Sequence, residues 1–316
     1  MFIYREQLRT ATNNHYYNRG ASSHITMIRA HFYHAQEAVL EGITQQLFKH
    51  IDTTRFIADP HHSCDDFFYQ GVFLHQEGVQ FALALSGGET TRKLFTHWRK
   101  QHLSNQAWNS IDYYWIDECH TPYINKESNF GEAYRRFFQH SNINPSRIHP
   151  IHYTPQPQEE IERYASQLPH SRGLYYDPTR YYTNDYPCIT PYQSHFHCAI
   201  LDIDDNGQIT PLLNSTTTPV PTTPYHLLQH PQTRQKHIAA TVQTIRETPR
   251  IILPLIGKEK AQIITDLYHQ HNTHLPHIQL LMEHPNVHIF TDNKELETLI
   301  YPNKKYIQTT PDTIHL

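Results

Sequence analysis

The feature that most restricts the fold is a change of period near residue 85. Phe81-Ala82-Leu83-Ala84-Leu85 is a short continuous apolar run, Ser86-Gly87-Gly88 stops it, and residues 92–100 read as helix. A strand covered on both faces reads as such a run, and paired glycines supply the tight turn that feeds a helix. The pattern repeats, with residues 111–116 as strand, 117–129 as loop and 130–140 as an aromatic-faced helix. Further apolar strands fall at 198–203, 251–256 and 287–290, with helices between them. Alternation of this kind predicts an α/β protein: a single three-layer, doubly wound domain with a mostly parallel sheet.

Phe32, Ala35, Val39, Ile43 and Leu47 space out one face of a first helix over about residues 31–50. Residues 1–30 show no period and are read as an N-terminal extension, so the domain runs over 31–316. Within it, 168–194 breaks the alternation with Tyr175-Tyr176-Asp177-Pro178 and Tyr186-Pro187 and is read as an insertion. Residues 214–224, dense in Thr and Pro, predict an extended loop.

A net charge of -4 leaves no basic excess for a phosphate backbone, so nucleic acid is not an expected partner. No segment approaches the ~20 apolar residues of a membrane span, and Met1-Phe2-Ile3-Tyr4-Arg5-Glu6 lacks a signal-peptide core, which predicts a cytoplasmic protein with no membrane partner. Cys64, Cys119, Cys188 and Cys198 are too scattered for a disulfide framework. Among 27 histidines chance clusters are expected, so even His195-Phe196-His197-Cys198 is read as strand-flanking sequence. Neither a metal nor a cofactor is expected.

Three segments carry candidate chemistry. Ser86-Gly87-Gly88-Glu89-Thr90-Thr91, between strand and helix, points free N–H groups at an anion, with the Ser86 and Thr90 hydroxyls beside them. The alternative is a bare glycine turn, and Glu89 must face away for an anion to bind. Tyr114-Trp115-Ile116-Asp117-Glu118-Cys119-His120-Thr121-Pro122, followed by Ser128-Asn129-Phe130-Gly131, puts Asp117 and Glu118 at a strand's carboxyl end. There they orient hydroxyls or water, or form a solvated turn. The third is Gly257-Lys258-Glu259-Lys260-Ala261.

In this order the segments resemble the 6-phosphogluconolactonase family and its relatives, the glucosamine-6-phosphate deaminases, over about residues 35–300. The lactonase phosphate loop Ser-Gly-Gly-x-Thr-Pro is matched by Ser86, Gly87, Gly88 and Thr90. Its acidic loop Trp-x-Asp-Glu-Arg-x-Val-Pro with a downstream Ser-Asn is matched by Trp115, Asp117, Glu118, Pro122, Ser128 and Asn129. The resemblance implies a small-molecule sugar phosphate held by the N–H groups of Gly87, Gly88 and Glu89, with Thr90 and Lys260 completing the cradle. The family's catalytic stretch resembles Gly-x-Gly-x-Asp-Gly-His-x-x-Ser-Leu-Phe-Pro, and the matching segment begins at Asp202 and keeps only Gly207 and Leu212. The family's general-base histidine is Gln208, its acidic neighbour is Asn206, and the acidic loop's arginine is Cys119. An amide takes no proton at neutral pH. The expectation is therefore a sugar-phosphate-binding chain whose lactone hydrolysis is weak or lost. The alternatives are a non-catalytic sensor or accessory subunit, a deaminase-like enzyme, a protein that kept only the fold, and a lactonase in which His120, held by Asp117 or Glu118, replaces the base.

Overall fold

A computed structural model describes residues 27–55, 73–75, 80–176, 189–204, 208–212, 223–230, 233–269, 272, 275–284, 286–293 and 313–315. Its centre is a seven-stranded sheet in the order β13-β1-β12-β11-β8-β3-β4. These strands are β1 (Met27–Phe32), β3 (Phe81–Leu85), β4 (Ile111–Trp115), β8 (Cys198–Ile200), β11 (Ile251–Leu255), β12 (Asn286–Thr291) and β13 (Thr313–His315). Only β13, on the edge beside β1, runs antiparallel. Every residue of β3, β11 and β12 is buried, which is why β3 and β11 read as unbroken runs, while β12 interleaves Val287, Ile289 and Phe290 with buried Asn286, His288 and Thr291. Each such Leu, Ile or Phe stabilises the fold by about 1.5–3 kcal/mol.

Helices cover the sheet in the three-layer arrangement expected. The first, α1 (Gln36–Arg55), packs on β11 and β12 and against α2 (Glu89–Gln101). Between them, Trp98 packs against Trp108 and Phe137 with ring centroids 4.9 and 5.5 Å away, and its indole N–H donates to Thr44 Oγ1 at 3.0 Å. After the acidic loop come α3 (Asn129–Arg136) and α4 (Pro157–Gln167), and later α5 (Val242–Arg246), α6 (Ala261–His269) and α7 (Pro276–Glu283). Among the described residues no helix is long and apolar enough to cross a membrane.

The strand order sets where the sheet opens a crevice. After β3 the chain moves outward to β4, whereas β8 lies on the other side of β3 and leads to β11 and β12. The loops leaving β3 and β8 therefore diverge, and the crevice between them is the topological switch point at which such sheets bind ligands.

Several boundaries differ from the sequence reading. Residues 27–30 belong to β1 rather than to an extension, and the first helix starts at Gln36. The strand is masked by its polar members: buried His31 takes an apolar residue's place, stacking on Phe290 at 4.3 Å and bonding His288 Nδ1 at 3.1 Å. Asp117–Cys119 is a short strand, β5, not loop, and pairs antiparallel with β10 (Lys236–Ala240), which continues to β9 (Tyr225–Gln229). In the segment read as an insertion, β6 (Ser171–Tyr176) and β7 (Ile189–Ser194) form an antiparallel pair joined by β2 (Phe73–His75). Residues 177–188 and 213–222 lie outside the described residues.

Candidate functional site

The glycine turn after β3 is set by two close approaches. Any Cβ on Gly87 would collide with the Asn129 side chain, and one on Gly88 with the Asp202 carboxylate. Gly88 also sits at φ 114, where residues with a Cβ are strained. It caps α2 without a side chain to accept the helix's first N–H groups. Those donors and the positive end of the helix dipole make an anion seat.

Asp202 occupies that seat. It leaves the carboxyl end of β8, its own N–H donating to Ser86 Oγ at 2.6 Å. Its Oδ2 accepts from the Thr90 and Thr91 N–H groups at 2.9 and 3.4 Å. Lys260 Nζ, buried, donates to Asp202 Oδ1 at 3.0 Å and to Thr90 Oγ1 at 3.3 Å. Burial pushes the Asp202 carboxyl above its ordinary value while Lys260 and the two N–H groups pull it back. The lysine comes from the turn after β11, where Gly257 N–H donates to Asp292 Oδ1 at 2.9 Å and Asn293 Nδ2 donates to the Gly257 carbonyl at 3.3 Å. Thus Ser86, Gly88, Thr90 and Lys260 are brought together around Asp202, a residue of this same chain. Glu89 does face away, paired with Lys93 at 2.8 Å on the surface.

The acidic pair divides its labour. Glu118 turns from the crevice to the start of α3: Oε1 accepts from Asn129 N–H at 2.7 Å, and Oε2 from Phe130 N–H at 2.8 Å and Ser128 Oγ at 3.2 Å. These three donors make it a cap on α3. Burial raises its pKa to about 8 despite these donors. Asp117, also buried, accepts from Asn129 Nδ2 at 3.1 Å, and Asn129 abuts Gly87, so Asp117 does stand beside the cradle.

His120 is not held by either acid. Its ring lies 4.8 Å from Tyr153 and its ring Nε2 is buried without a hydrogen-bond partner, while its backbone N–H donates to the Lys236 carbonyl at 2.8 Å. The histidine that does face Asp117 is His237 of β10, with Nδ1 3.6 Å from Oδ2. Nothing in the sequence singles it out, since its place depends on the pairing of β10 with β5. Asp202, by contrast, left a signal: it stands where the family's Gly-x-Gly-x-Asp-Gly-His stretch opens with glycine. Gln208 N–H donates to Asp204 Oδ1 at 2.8 Å, while its side-chain Oε1 is buried without a partner. Asn206 lies outside the described residues. His197 and His195 serve structure, the first accepting from Ala82 N–H at 2.8 Å and the second bonding the Pro169 carbonyl at 3.0 Å. Burial pushes the thiols of Cys119 and Cys198 up to about 12, and they stay protonated.

A parallel sheet whose strands β11, β3 and β4 end in a lysine turn, a glycine turn and an acidic loop, with Asp202 leaving β8 between the first two, defines an α/β protein with an anion seat at its switch point. The chain belongs to the glucosamine-6-phosphate isomerases/6-phosphogluconolactonase family, whose profile matches residues 72–289. It is 24% identical over 217 residues to a 6-phosphogluconolactonase of Haemophilus influenzae, covering 68% of this chain and 85% of that protein. A 6-phosphogluconolactonase of Trypanosoma cruzi shares the fold with a TM-score of 0.61 at 14% identity, over 90% of this chain and all of that one. A monomeric glucosamine-6-phosphate deaminase does so with a TM-score of 0.56 at 16% identity, over 85% and 99% of the two chains.

Proposed function

We propose that this chain is a 6-phosphogluconolactonase-like protein of carbohydrate metabolism that hydrolyses 6-phosphogluconolactone weakly or not at all, and that admits a sugar phosphate only by displacing Asp202. The observation that carries this is the Asp202 carboxylate bonded to Thr90, Thr91 and Lys260. A phosphate on the neighbouring N–H groups of Gly87, Gly88 and Glu89 needs the ammonium that Asp202 already holds, and two anions on one buried cation repel. Gln208 supplies no base to activate water, and Cys119 supplies no second cation. Ligand entry is thereby coupled to movement of the segment after β8, which suits a sugar-phosphate sensor better than a catalyst.

Lactone hydrolysis by the purified chain, corrected for spontaneous opening, is the first test, with a rate near background expected. A kcat on the order of 10 s⁻¹, ordinary for an enzyme, would overturn the reading. The second test is Asp202→Gly. Freeing a charge-assisted contact of about 1.5–3 kcal/mol should raise calorimetric affinity for 6-phosphogluconate roughly ten- to a hundredfold. Unchanged affinity would remove Asp202 from the cradle.

A second reading, a lactonase with a relocated base, is favoured by the approach of His237 to Asp117. If the wild type turned over at an enzyme-like rate, His237→Gln rather than His120→Ala would abolish it. The deaminase-like reading lacks the same histidine at Gln208.

A further inference from the structure

Away from the crevice, the C-terminal end of α2 and the residue after it meet α1 through two imidazoles and two carboxylates. Glu41 Oε2 lies 3.0 Å from His97 Nε2 and 2.7 Å from His102 Nε2. The three donor atoms all fall within 4.8 Å of one another. His97 and His102 are 6% and 14% exposed, so both are held in place, while Glu41 at 39% keeps the site open to water. His102 is also fixed by Phe48, whose ring stands edge-on 5.7 Å away, and by its own N–H on the Trp98 carbonyl at 2.9 Å.

We propose that Glu41, His97 and His102 form a binding site for a divalent transition metal, Zn²⁺ foremost, that ties α1 to the end of α2. The donor set, two imidazoles and a carboxylate with a position left for water, is one that Zn²⁺ takes. Ligands about 2.0–2.1 Å from a tetrahedral ion stand roughly 3.3 Å apart, so the Glu41 oxygen, now 3.0 and 2.7 Å from the two imidazoles, must draw back by about half an ångström while the imidazoles, within 4.8 Å of each other, settle about the ion.

Proton accounting at His97 supports the assignment. Both its nitrogens face carboxylates, since Nδ1 lies 3.4 Å from Glu37 Oε2. A neutral imidazole has one N–H and must turn a lone pair toward one of those oxygens. A metal on Nε2 resolves this, because Nδ1–H then donates to Glu37, the usual outer partner of a metal-bound histidine. An imidazolium donating from both nitrogens resolves it too, and the experiment separates the two. Glu37 and Glu41, one turn apart on α1, are thus outer and inner partners of one imidazole.

The test uses the full chain stripped with chelator and titrated with Zn²⁺ at neutral pH against a chromophoric competitor. With 27 histidines in the chain, weak background binding is expected, so the readout is one tight site above it. Glu41→Gln and His102→Gln should each weaken that site at least tenfold and abolish the rise in Tm given by one equivalent of Zn²⁺. His140→Gln, at an exposed position, should change neither. Glu37→Gln should weaken it by about tenfold, the smaller effect of an outer partner. If either inner variant fails to fold, the visible spectrum of Co²⁺ on the wild type decides, intense bands meaning a four-coordinate site. Wild-type binding no tighter than background, or binding indifferent to Glu41→Gln and His102→Gln, leaves a hydrogen-bonded triad and overturns the proposal.

Discussion

Lys260 and Asp202 are the residues on which the crevice turns, because each is buried and each is the other's counter-charge. Breaking a buried pair from one side strands the remaining charge, at a cost of about 3–5 kcal/mol. Lys260→Met should therefore lower the urea unfolding free energy by that amount, whereas Lys260→Met combined with Asp202→Gly should cost less than the sum of the single changes. Additive effects in that cycle would mean the two charges do not interact. Asp202→Gly alone strands the ammonium, so its stability should rise with added phosphate as mass action fills the seat. Such a dependence in the variant and not in the wild type is what a resident carboxylate produces.

At the scale of elements, two helices begin on carboxylates brought from elsewhere in the chain. Helix α2 starts on Asp202, 112 residues after Thr90, and α3 on Glu118, with Ser128 as its local cap. Ser128 Oγ accepts from Gly131 N–H at 2.9 Å and donates to Glu118, in full burial. Ser128→Ala should cost about 1–2 kcal/mol, and a loss below a few tenths by thermal unfolding would mean that Glu118 suffices alone. These caps mark the limit of what the sequence discloses. The parallel strands β3 and β11 are legible because burial on both faces writes itself as a run of apolar residues, and β12 through Val287, Ile289 and Phe290. The glycine turn, Lys260 and Asp117 are legible as short motifs. Strand β5 is not, for two acids and a cysteine acquire strand character only by pairing with β10, and β1 is hidden by buried His31. The occupant of the anion seat depends on the juxtaposition of β3 with β8, which no local pattern records. His120 was the nearest histidine to Asp117 in sequence, but the strand pairing selects His237.

For the molecule as a whole, buried titratable groups oppose one another across the neutral range. Burial lowers the pKa of six described histidines, His120, His149, His152, His226, His277 and His284. The deepest is His284, which bonds the Thr248 carbonyl through Nε2 at 2.8 Å, accepts from Asn286 N–H at 3.2 Å, and is held near 4 against an ordinary 6.5. Between those values the unfolded chain binds the additional proton, so stability present above pH 6.5 is lost as pH falls toward 4, by on the order of 3 kcal/mol from His284 alone. Glu118 acts in reverse. Its carboxyl is raised to about 8, the folded chain holds the additional proton between 4.5 and 8, and stability falls as pH rises through that window. Between 4.5 and 6.5 the His284 and Glu118 slopes oppose each other, the other five lowered histidines tip the balance upward with pH, and above 6.5 the Glu118 limb acts alone, which predicts a stability maximum near pH 6.5, measurable as the urea midpoint followed by fluorescence of the buried Trp98, Trp108 and Trp115. His284→Gln can keep both hydrogen bonds but cannot titrate, so its acid limb should be shallower by about one proton, or ~1.4 kcal/mol per pH unit. Glu118→Gln lowers stability by a constant offset yet should flatten the opposite limb. A midpoint that climbs steadily from pH 5 to 8 in the wild type would show that Glu118 is ionised in its cap, with the Asn129 and Phe130 N–H groups outweighing its burial.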